Sequence, residues 1–185
     1  MQKEPNGFRT RPPQVEVDCL SREEGKGQVR ARVLEYEKTF SFLKPESVMR
    51  GMIGEIVSRF EKKGLVLVAA KLLQMSHEHA ERLYEVHRGK PFFQELVAHV
   101  TKGPVFLMVW EGPSAVAVVR NLVGATNPIN AAPGTVRGDF ALSMTPNAIH
   151  AADSPENAKR EMLIFFSSNE VTKYSKPTES EFLLK

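Results

Sequence analysis

The chain has 185 residues, of which 42% are hydrophobic and 25% charged, and its formal net charge is +3. That balance is typical of an ordinary globular protein with one core, and the charge alone is too small to indicate a nucleic-acid partner. Cys19 is the single cysteine, which excludes an intrachain disulfide. No apolar run nears the roughly 18 residues of a membrane-spanning helix, and no apolar segment marks a secretory signal. We therefore expect a cytoplasmic protein with no membrane partner.

Residues 1–38 differ in composition from the rest of the chain. They are polar and mixed in charge, and Pro12-Pro13 and Gly25-Lys26-Gly27 interrupt any regular element. The alternation from Val29 to Val33 allows one short strand there. We predict an N-terminal extension over 1–38, flexible or with a short edge strand. One domain then covers 39–185, with a C-terminal tail from about residue 167.

From Thr39 onward, hydrophobic spacing and turn residues predict a regular series of elements. Strands are predicted over 39–43, 65–73, 105–110 and 147–150. Helices are predicted over 53–60, 76–87, 92–100, 114–124 and 154–165. The order β-α-β-β-α-β is the ferredoxin-like plan, an α+β fold with a four-stranded antiparallel sheet and helices on one face.

One stretch of the domain, Ala125 to Pro146, shows no periodicity and is rich in proline and glycine. An irregular run of about 20 residues inside a compact domain is uncommon and is usually functional. We therefore expect a long ordered loop before the last strand.

The last predicted strand ends at His150, four residues before a helix that Ser154 and Pro155 begin. A helix N-terminus offers free N–H groups and a positive dipole end, which suit phosphate. Glu161 on that helix could turn back to orient the imidazole. A lone histidine at a strand end is more often structural than catalytic, so these neighbours are needed to make His150 a candidate.

Seven segments carry a family resemblance. They are Phe42-Leu-Lys-Pro45, Arg50-Gly-Met-Ile-Gly54, Lys90-Pro-Phe-Phe93, Val109-Trp-Glu-Gly112, Gly124-Ala-Thr-Asn-Pro128, Pro133-Gly-Thr-Val-Arg-Gly-Asp-Phe140 and Asn147-Ala-Ile-His-Ala-Ala-Asp-Ser154. In this order and spacing, residues 39 to about 166 closely resemble a nucleoside diphosphate kinase. That family moves the terminal phosphate from a nucleoside triphosphate to a nucleoside diphosphate through a phosphohistidine.

The resemblance implies roles for four catalytic side chains. His150 is the nucleophile that becomes phosphorylated, Glu161 orients it, and Tyr84 packs and hydrogen-bonds beside it. Lys44 contacts the transferring group. Because donor and acceptor use one site in turn, ping-pong kinetics are expected.

The resemblance also implies a nucleotide site for ATP and other nucleoside di- and triphosphates. Its residues are Lys44, Phe92, Leu96, Arg120, Thr126, Arg137 and Asn147. The two arginines and the threonine would hold the phosphates, while Lys44 and Asn147 would contact the ribose. Phe92 would stack on the base with Leu96 beside it. Mg²⁺ would arrive bridging the nucleotide phosphates, with no metal site made by the protein alone.

The family also implies a homo-oligomer, a hexamer in preference to a tetramer, with the long loop at the subunit interface. Two departures stand out. Ala151 and Ala152 replace the usual glycine and serine, which removes a hydroxyl expected to support the histidine–glutamate pair. Glu46 and Ser47 replace the usual aspartate and glycine, which we interpret as a neutral change at a turn.

Two other functions fit parts of the sequence. The Ala151-Ala152 change allows a catalytically weak or inactive relative that binds nucleotide in a regulatory role. The β-α-β-β-α-β plan also serves RNA recognition, but the strand residues Val105, Leu107 and Val109 look like core, and the aromatic RNA-binding signature is missing. We therefore favour the kinase and expect no nucleic-acid partner.

Overall fold

The computed structural model describes residues 36–174, and the strand considered over Val29–Val33 lies outside them. The strands are β1 Tyr36–Leu43, β2 Val66–Gln74, β3 Pro104–Pro113 and β4 Ile149–Ala151. The helices are α1 Pro45–Met49, α2 Ile53–Lys62, α3 His77–Leu83, α4 Phe93–Val100, α5 Ala115–Val123, α6 Val136–Phe140 and α7 Pro155–Phe165. Short 3-10 helices cover Glu85–His87, Pro128–Asn130 and Ser168–Glu170. No helix within residues 36–174 is long and apolar enough to cross a membrane.

The four strands form one sheet in the order β2-β3-β1-β4, and every neighbouring pair is antiparallel. This confirms the predicted fold class. Phe42 on the central strand β1 lies opposite Leu107 on one side and His150 on the other. The last strand therefore holds His150 against the middle of the sheet.

Helices cover both faces of the sheet, so the expectation of helices on one face was wrong. Phe40 and Phe42 of β1 pack with residues of α3, α4 and α7 in one apolar cluster. Leu43, with Met108 and Trp110 of β3, packs in a second cluster against α2, α5 and α6. Side chains alternate between the faces of a strand, so these two sets mark opposite faces.

Local signals place most helix boundaries. The Ser154 hydroxyl accepts from the N–H of Asn157 and begins α7, with Pro155 in the first turn. Ser76 caps α3 in the same way. Gly64 follows α2 with a φ of 103°, a left-handed conformation that favours glycine.

Two short helices were not predicted. α1 begins directly after Lys44, where Pro45 was expected only to end the strand. α6, together with a 3-10 turn at Pro128–Asn130, gives the long loop local structure. The Thr135 side chain caps α6 by accepting from the N–H of Gly138.

Candidate active site

His150 projects from β4 towards the face of the sheet covered by α3 and α7. Its ring stacks on Phe42 with 5.0 Å between centroids and meets Tyr84 edge-on at 6.0 Å. The side chain is 20% exposed. The imidazole is thus fixed by aromatic packing while part of it remains accessible.

Glu161 reaches the imidazole from α7, as the sequence led us to expect. Its Oε2 lies 2.7 Å from Nε2 of His150, and the glutamate side chain is only 6% exposed. The other oxygen, Oε1, accepts from Arg160 at 3.3 Å. A carboxylate at this distance favours a proton on Nε2, so the lone pair of a neutral ring resides on Nδ1.

Tyr84 lies at the C-terminal end of α3 and is buried beside His150. Burial, with a smaller effect from the Glu161 carboxylate, raises the pKa of its hydroxyl above the ordinary value. Tyr84 therefore stays a neutral phenol at physiological pH, with its ring nearly perpendicular to the imidazole.

Lys44 is a buried cation at the junction of β1 and α1. Its Nζ donates to the carbonyl of Thr145 at 2.8 Å. Burial lowers the pKa of Lys44 from 10.5 to about 8; the Glu46 carboxylate opposes that shift and Arg137 adds to it. The ammonium is consequently poorly compensated in the free protein.

Arg137 is also buried, in α6, and it holds three backbone carbonyls. It donates to the carbonyls of Asn147 at 3.3 Å, Gly124 at 3.1 Å and Ile149 at 2.8 Å. Burial, then the positive charge of Arg120, lowers the pKa of Arg137 to about 10. Arg120, late in α5, therefore lies close enough for the two guanidinium groups to repel.

The three cations share one property: none forms an ion pair within 4.0 Å inside residues 36–174. They are Lys44, Arg120 and Arg137. Cations that are buried or close together without paired carboxylates are unfavourable until an anion joins them. Charge at this site therefore favours a phosphorylated ligand.

Asn147 begins a tight turn just before β4. The N–H of Ile149 donates to the carbonyl of Asn147 at 2.9 Å, and Ala148 between them has a φ of 70°. The Asn147 amide donates to the carbonyl of Thr126 at 3.1 Å, while its buried Oδ1 has no hydrogen-bond partner within the described part of the chain. Asn147 therefore keeps a buried acceptor without a hydrogen-bond partner at the start of this turn.

The remaining predicted nucleotide residues lie at the surface or its edge. Phe92 is 45% exposed just before α4, although it is a large apolar side chain. Leu96, one turn further on, is half-buried against the core. Thr126 is exposed and follows α5. Their roles in binding a nucleotide stay predictions.

Ala151 and Ala152, the departures next to His150, are both buried. The N–H of Ala152 donates to the carbonyl of Phe40 at 3.0 Å, and its methyl packs with Val116 and Ala158. The methyl group of Ala152 therefore packs among apolar side chains, at the position where the usual serine would place a hydroxyl.

Sequence reasoning missed Glu46, Ser47 and His99. The carboxylate of Glu46 accepts from the N–H of Ala148, and the hydroxyl of Ser47 donates to the carbonyl of Ala148. His99 on α4 contacts the same carboxylate. The interpretation of positions 46 and 47 as a neutral turn change did not anticipate these contacts, because only the fold brings residues about 100 apart together.

A partly accessible imidazole held by a buried carboxylate, together with three poorly compensated cations, is the arrangement that suits a phosphorylated substrate. The family model described as nucleoside diphosphate kinase matches residues 37–171. The chain therefore belongs to the nucleoside diphosphate kinase family.

Relatives and solved structures agree with the family match. The nucleoside diphosphate kinase of Halalkalibacterium halodurans is 54% identical over 140 residues, which cover 76% of this chain and 95% of that protein. That of Ignicoccus hospitalis is 56% identical over 135 residues, or 73% and 92% of the two chains. The structure of a halophilic nucleoside diphosphate kinase from Halobacterium salinarum in complex with CDP has a TM-score of 0.77 and 42% identity, covering 80% of this chain and 98% of that one.

Proposed function

We propose that this nucleoside diphosphate kinase transfers the terminal phosphate of a nucleoside triphosphate to Nδ1 of His150, and from there to a nucleoside diphosphate. One observation carries the proposal. Nε2 of His150 is engaged by the buried Glu161 at 2.7 Å, and no hydrogen bond among the described residues uses Nδ1. The nitrogen opposite the carboxylate is thus the nucleophile.

The proposed reaction consists of two half-reactions. The Nδ1 lone pair forms a bond to the γ-phosphorus while the bond from that phosphorus to its bridging oxygen breaks, and the diphosphate leaves with the electron pair. The ring gains positive character, which the carboxylate of Glu161 stabilises through the proton on Nε2. In the second half, an oxygen of the acceptor diphosphate attacks the phosphohistidine and the imidazole leaves as a neutral ring.

The cations hold and neutralise the phosphates. Arg120 and Arg137 provide planar donor groups for phosphate oxygens, and Lys44 reaches the transferring group as a point charge. Thr126 adds a hydroxyl at the edge of the site. Phosphoryl transfer depends mainly on such positioning and charge stabilisation, which fits this residue set.

The nucleoside is held at the exposed end of the site. Phe92, which is 45% exposed, stacks on the base with Leu96 beside it, and Asn147 contacts the ribose. Stacking accepts any base, because every base has an aromatic face. The CDP bound by the Halobacterium salinarum relative supports nucleotide binding at this fold.

Mg²⁺ bound with the nucleotide would supply positive charge that neutralises the phosphates. Within residues 36–174 no group of three or more His, Cys, Asp or Glu side chains is placed to hold a metal ion. Mg²⁺ is usually bound through substrate phosphates and water, and we propose the same for this site.

We also infer a homo-oligomer, a hexamer in preference to a tetramer, with the loop of residues 125–146 at the interface. Two apolar side chains of that loop support this inference: Ile129 is 81% exposed and Leu142 is 93% exposed. A contact between subunits at this loop would remove both of these side chains from water. Light scattering of the purified protein distinguishes the two assemblies.

The alternative, a nucleotide-binding relative without transfer activity, rests on Ala151 and Ala152. The intact contact between His150 and Glu161 favours the active enzyme.

The test is transfer from ATP to GDP with Mg²⁺ by the wild type and by His150→Ala. His77→Ala is the matched control, because His77 is an exposed histidine on α3. We expect fast transfer and acid-labile phosphate on the wild type and the control, with both lost in His150→Ala. A folded wild type without transfer would overturn the proposal, and transfer by His150→Ala would overturn the assignment of the nucleophile.

A further inference from the structure

The peptide at Ala148 is held in an uncommon conformation between two site residues, Asn147 and His150. Its φ of 70° lies in the left-handed region that non-glycine residues seldom adopt. A three-residue turn of this hand is rare and strained, and it persists only where the surroundings fix it. Something outside the turn must therefore maintain it.

Residues 44–47 form hydrogen bonds with both backbone polar groups of Ala148, its N–H and its carbonyl. The N–H of Ala148 donates to Oε1 of Glu46 at 3.0 Å. The carbonyl of Ala148 accepts from the N–H of Lys44 at 3.0 Å and from the hydroxyl of Ser47 at 2.9 Å. We call these three contacts the Ala148 clamp. Of these three contacts, the one from Glu46 is made to the N–H of Ala148, and the other two are made to its carbonyl.

Glu46 is itself held from α4. Its Oε2 lies 2.8 Å from Nε2 of His99, and both side chains are largely buried. Burial acts to raise the pKa of Glu46, but the hydrogen bonds from His99 and from the N–H of Ala148 outweigh it, so its pKa lies below the usual value. The carboxylate is thus ionised and fixed in one orientation.

We propose that Glu46 is a positioning residue for phosphoryl transfer, which acts by holding the Ala148 turn so that Asn147 and His150 keep their places in the site. The inference rests on the proposed function of His150. Neither Glu46 nor Ser47 touches the reacting atoms; both act through the backbone of the turn. A displacement of about 1 Å at a reacting group is enough to cost a large factor in rate.

The carboxylate has a second effect that can be measured separately. Besides holding the turn, the carboxylate of Glu46 raises the pKa of Lys44 and so opposes the effect of burial. Arg137 lowers that pKa. His99 is the remaining titratable group in contact with Glu46. Replacing the carboxylate by an amide keeps an acceptor for the N–H of Ala148 but removes the negative charge beside Lys44.

The experiment compares Glu46→Ala, Glu46→Gln and the double variant Glu46→Ala with Ala148→Gly, with Glu55→Ala as the matched control on the exposed face of α2. We expect Glu46→Ala to lower kcat by about tenfold or more, with a much smaller change in KM. Ala148→Gly in that background should restore most of the kcat, because glycine adopts positive φ without strain. Glu46→Gln should also keep most of the kcat, but the basic limb of its kcat/KM profile should move to lower pH.

Wild-type kcat in Glu46→Ala, or a loss that Ala148→Gly does not reverse, would overturn the inference. If Glu46→Ala does not fold, Ser47→Ala removes another contact of the clamp, and an unchanged kcat in that variant has the same meaning. Failure of the proposed function looks different, because the wild type itself would then transfer no phosphate.

Discussion

The buried ammonium of Lys44 should make stability and activity respond to pH in opposite directions. Its pKa is about 8 in the folded protein against 10.5 in the unfolded chain. Each pKa unit corresponds to about 1.36 kcal/mol, so burying this charge costs about 3 kcal/mol at neutral pH. Between pH 8 and 10.5 the unfolded chain binds more protons, so the free energy of unfolding rises with pH in that window. Below pH 8 the full cost applies.

Activity should fall over the same range, because the deprotonated amine no longer attracts phosphate. In the free enzyme, kcat/KM should decline above pH about 8, whereas an ordinary lysine would hold its charge to pH about 10.

The substitution Lys44→Met removes the charge and keeps an unbranched apolar side chain. At pH 7 the variant gains the burial cost of about 3 kcal/mol and loses the hydrogen bond to the Thr145 carbonyl, worth about 1 kcal/mol, so it should be more stable by about 2 kcal/mol. At pH 10.5 that advantage should disappear. Transfer activity should be greatly reduced throughout.

The assay is urea unfolding of both proteins at pH 7 and pH 10.5, without nucleotide and at one protomer concentration, because assembly contributes to stability. Arg137 and Tyr84 also titrate abnormally, but both remain in the variant and largely cancel in the difference. A difference that is the same at both pH values would contradict a lowered pKa and a burial cost for Lys44.

Two further outcomes follow from the residues around His150. Glu161→Gln keeps a neutral partner for Nε2 but removes the charge that stabilises the phosphorylated ring, so the rate of phosphohistidine formation should fall by about 10²-fold with little change in nucleotide affinity; an unchanged rate in rapid-quench measurements would contradict that role. Ala152→Ser restores the usual hydroxyl and should raise turnover a few-fold, while the hydroxyl among Val116 and Ala158 lowers the melting temperature. No change in turnover would show that the missing hydroxyl does not limit the rate.

Local sequence signals were sufficient for most of the fold. The pair Ser154-Pro155 predicted the start of α7, and the predicted end at Phe165 agrees with the structure. Such local signals could not predict that helices also cover the second face of the sheet. Thr39 and Ser41 look like solvent-facing positions of β1, yet both are buried, and the Ser41 hydroxyl accepts from the indole N–H of Trp110 at 3.2 Å. The hydroxyl of Thr39 is buried with no hydrogen-bond partner within residues 36–174. Alternation of polar and apolar residues therefore does not by itself show that one face of a strand meets solvent.

The contacts of the site likewise include some that the sequence predicted and some that it could not. His150 and Glu161 lie eleven residues apart on adjoining elements, so their contact followed from element order and from the family motifs. The choice of Nδ1 did not, because it depends on which nitrogen the carboxylate meets. The clamp at Ala148 involves residues more than 100 positions apart and a backbone angle, and neither leaves a pattern in the sequence. Helices as short as α6 likewise show no period.

The arrangement also explains why the chain can lack the usual serine beside its nucleophile. The carboxylate of Glu161 already has two partners, Nε2 of His150 on one oxygen and Arg160 on the other. Arg160 in turn donates to the carbonyls of Arg82 and Leu83 at the end of α3, next to Tyr84. A buried carboxylate needs hydrogen bonds to remain charged, and here an arginine provides one while connecting α7 to α3. A hydroxyl at position 152 would add a further contact to a group that is already oriented, so its loss should reduce the rate without abolishing transfer.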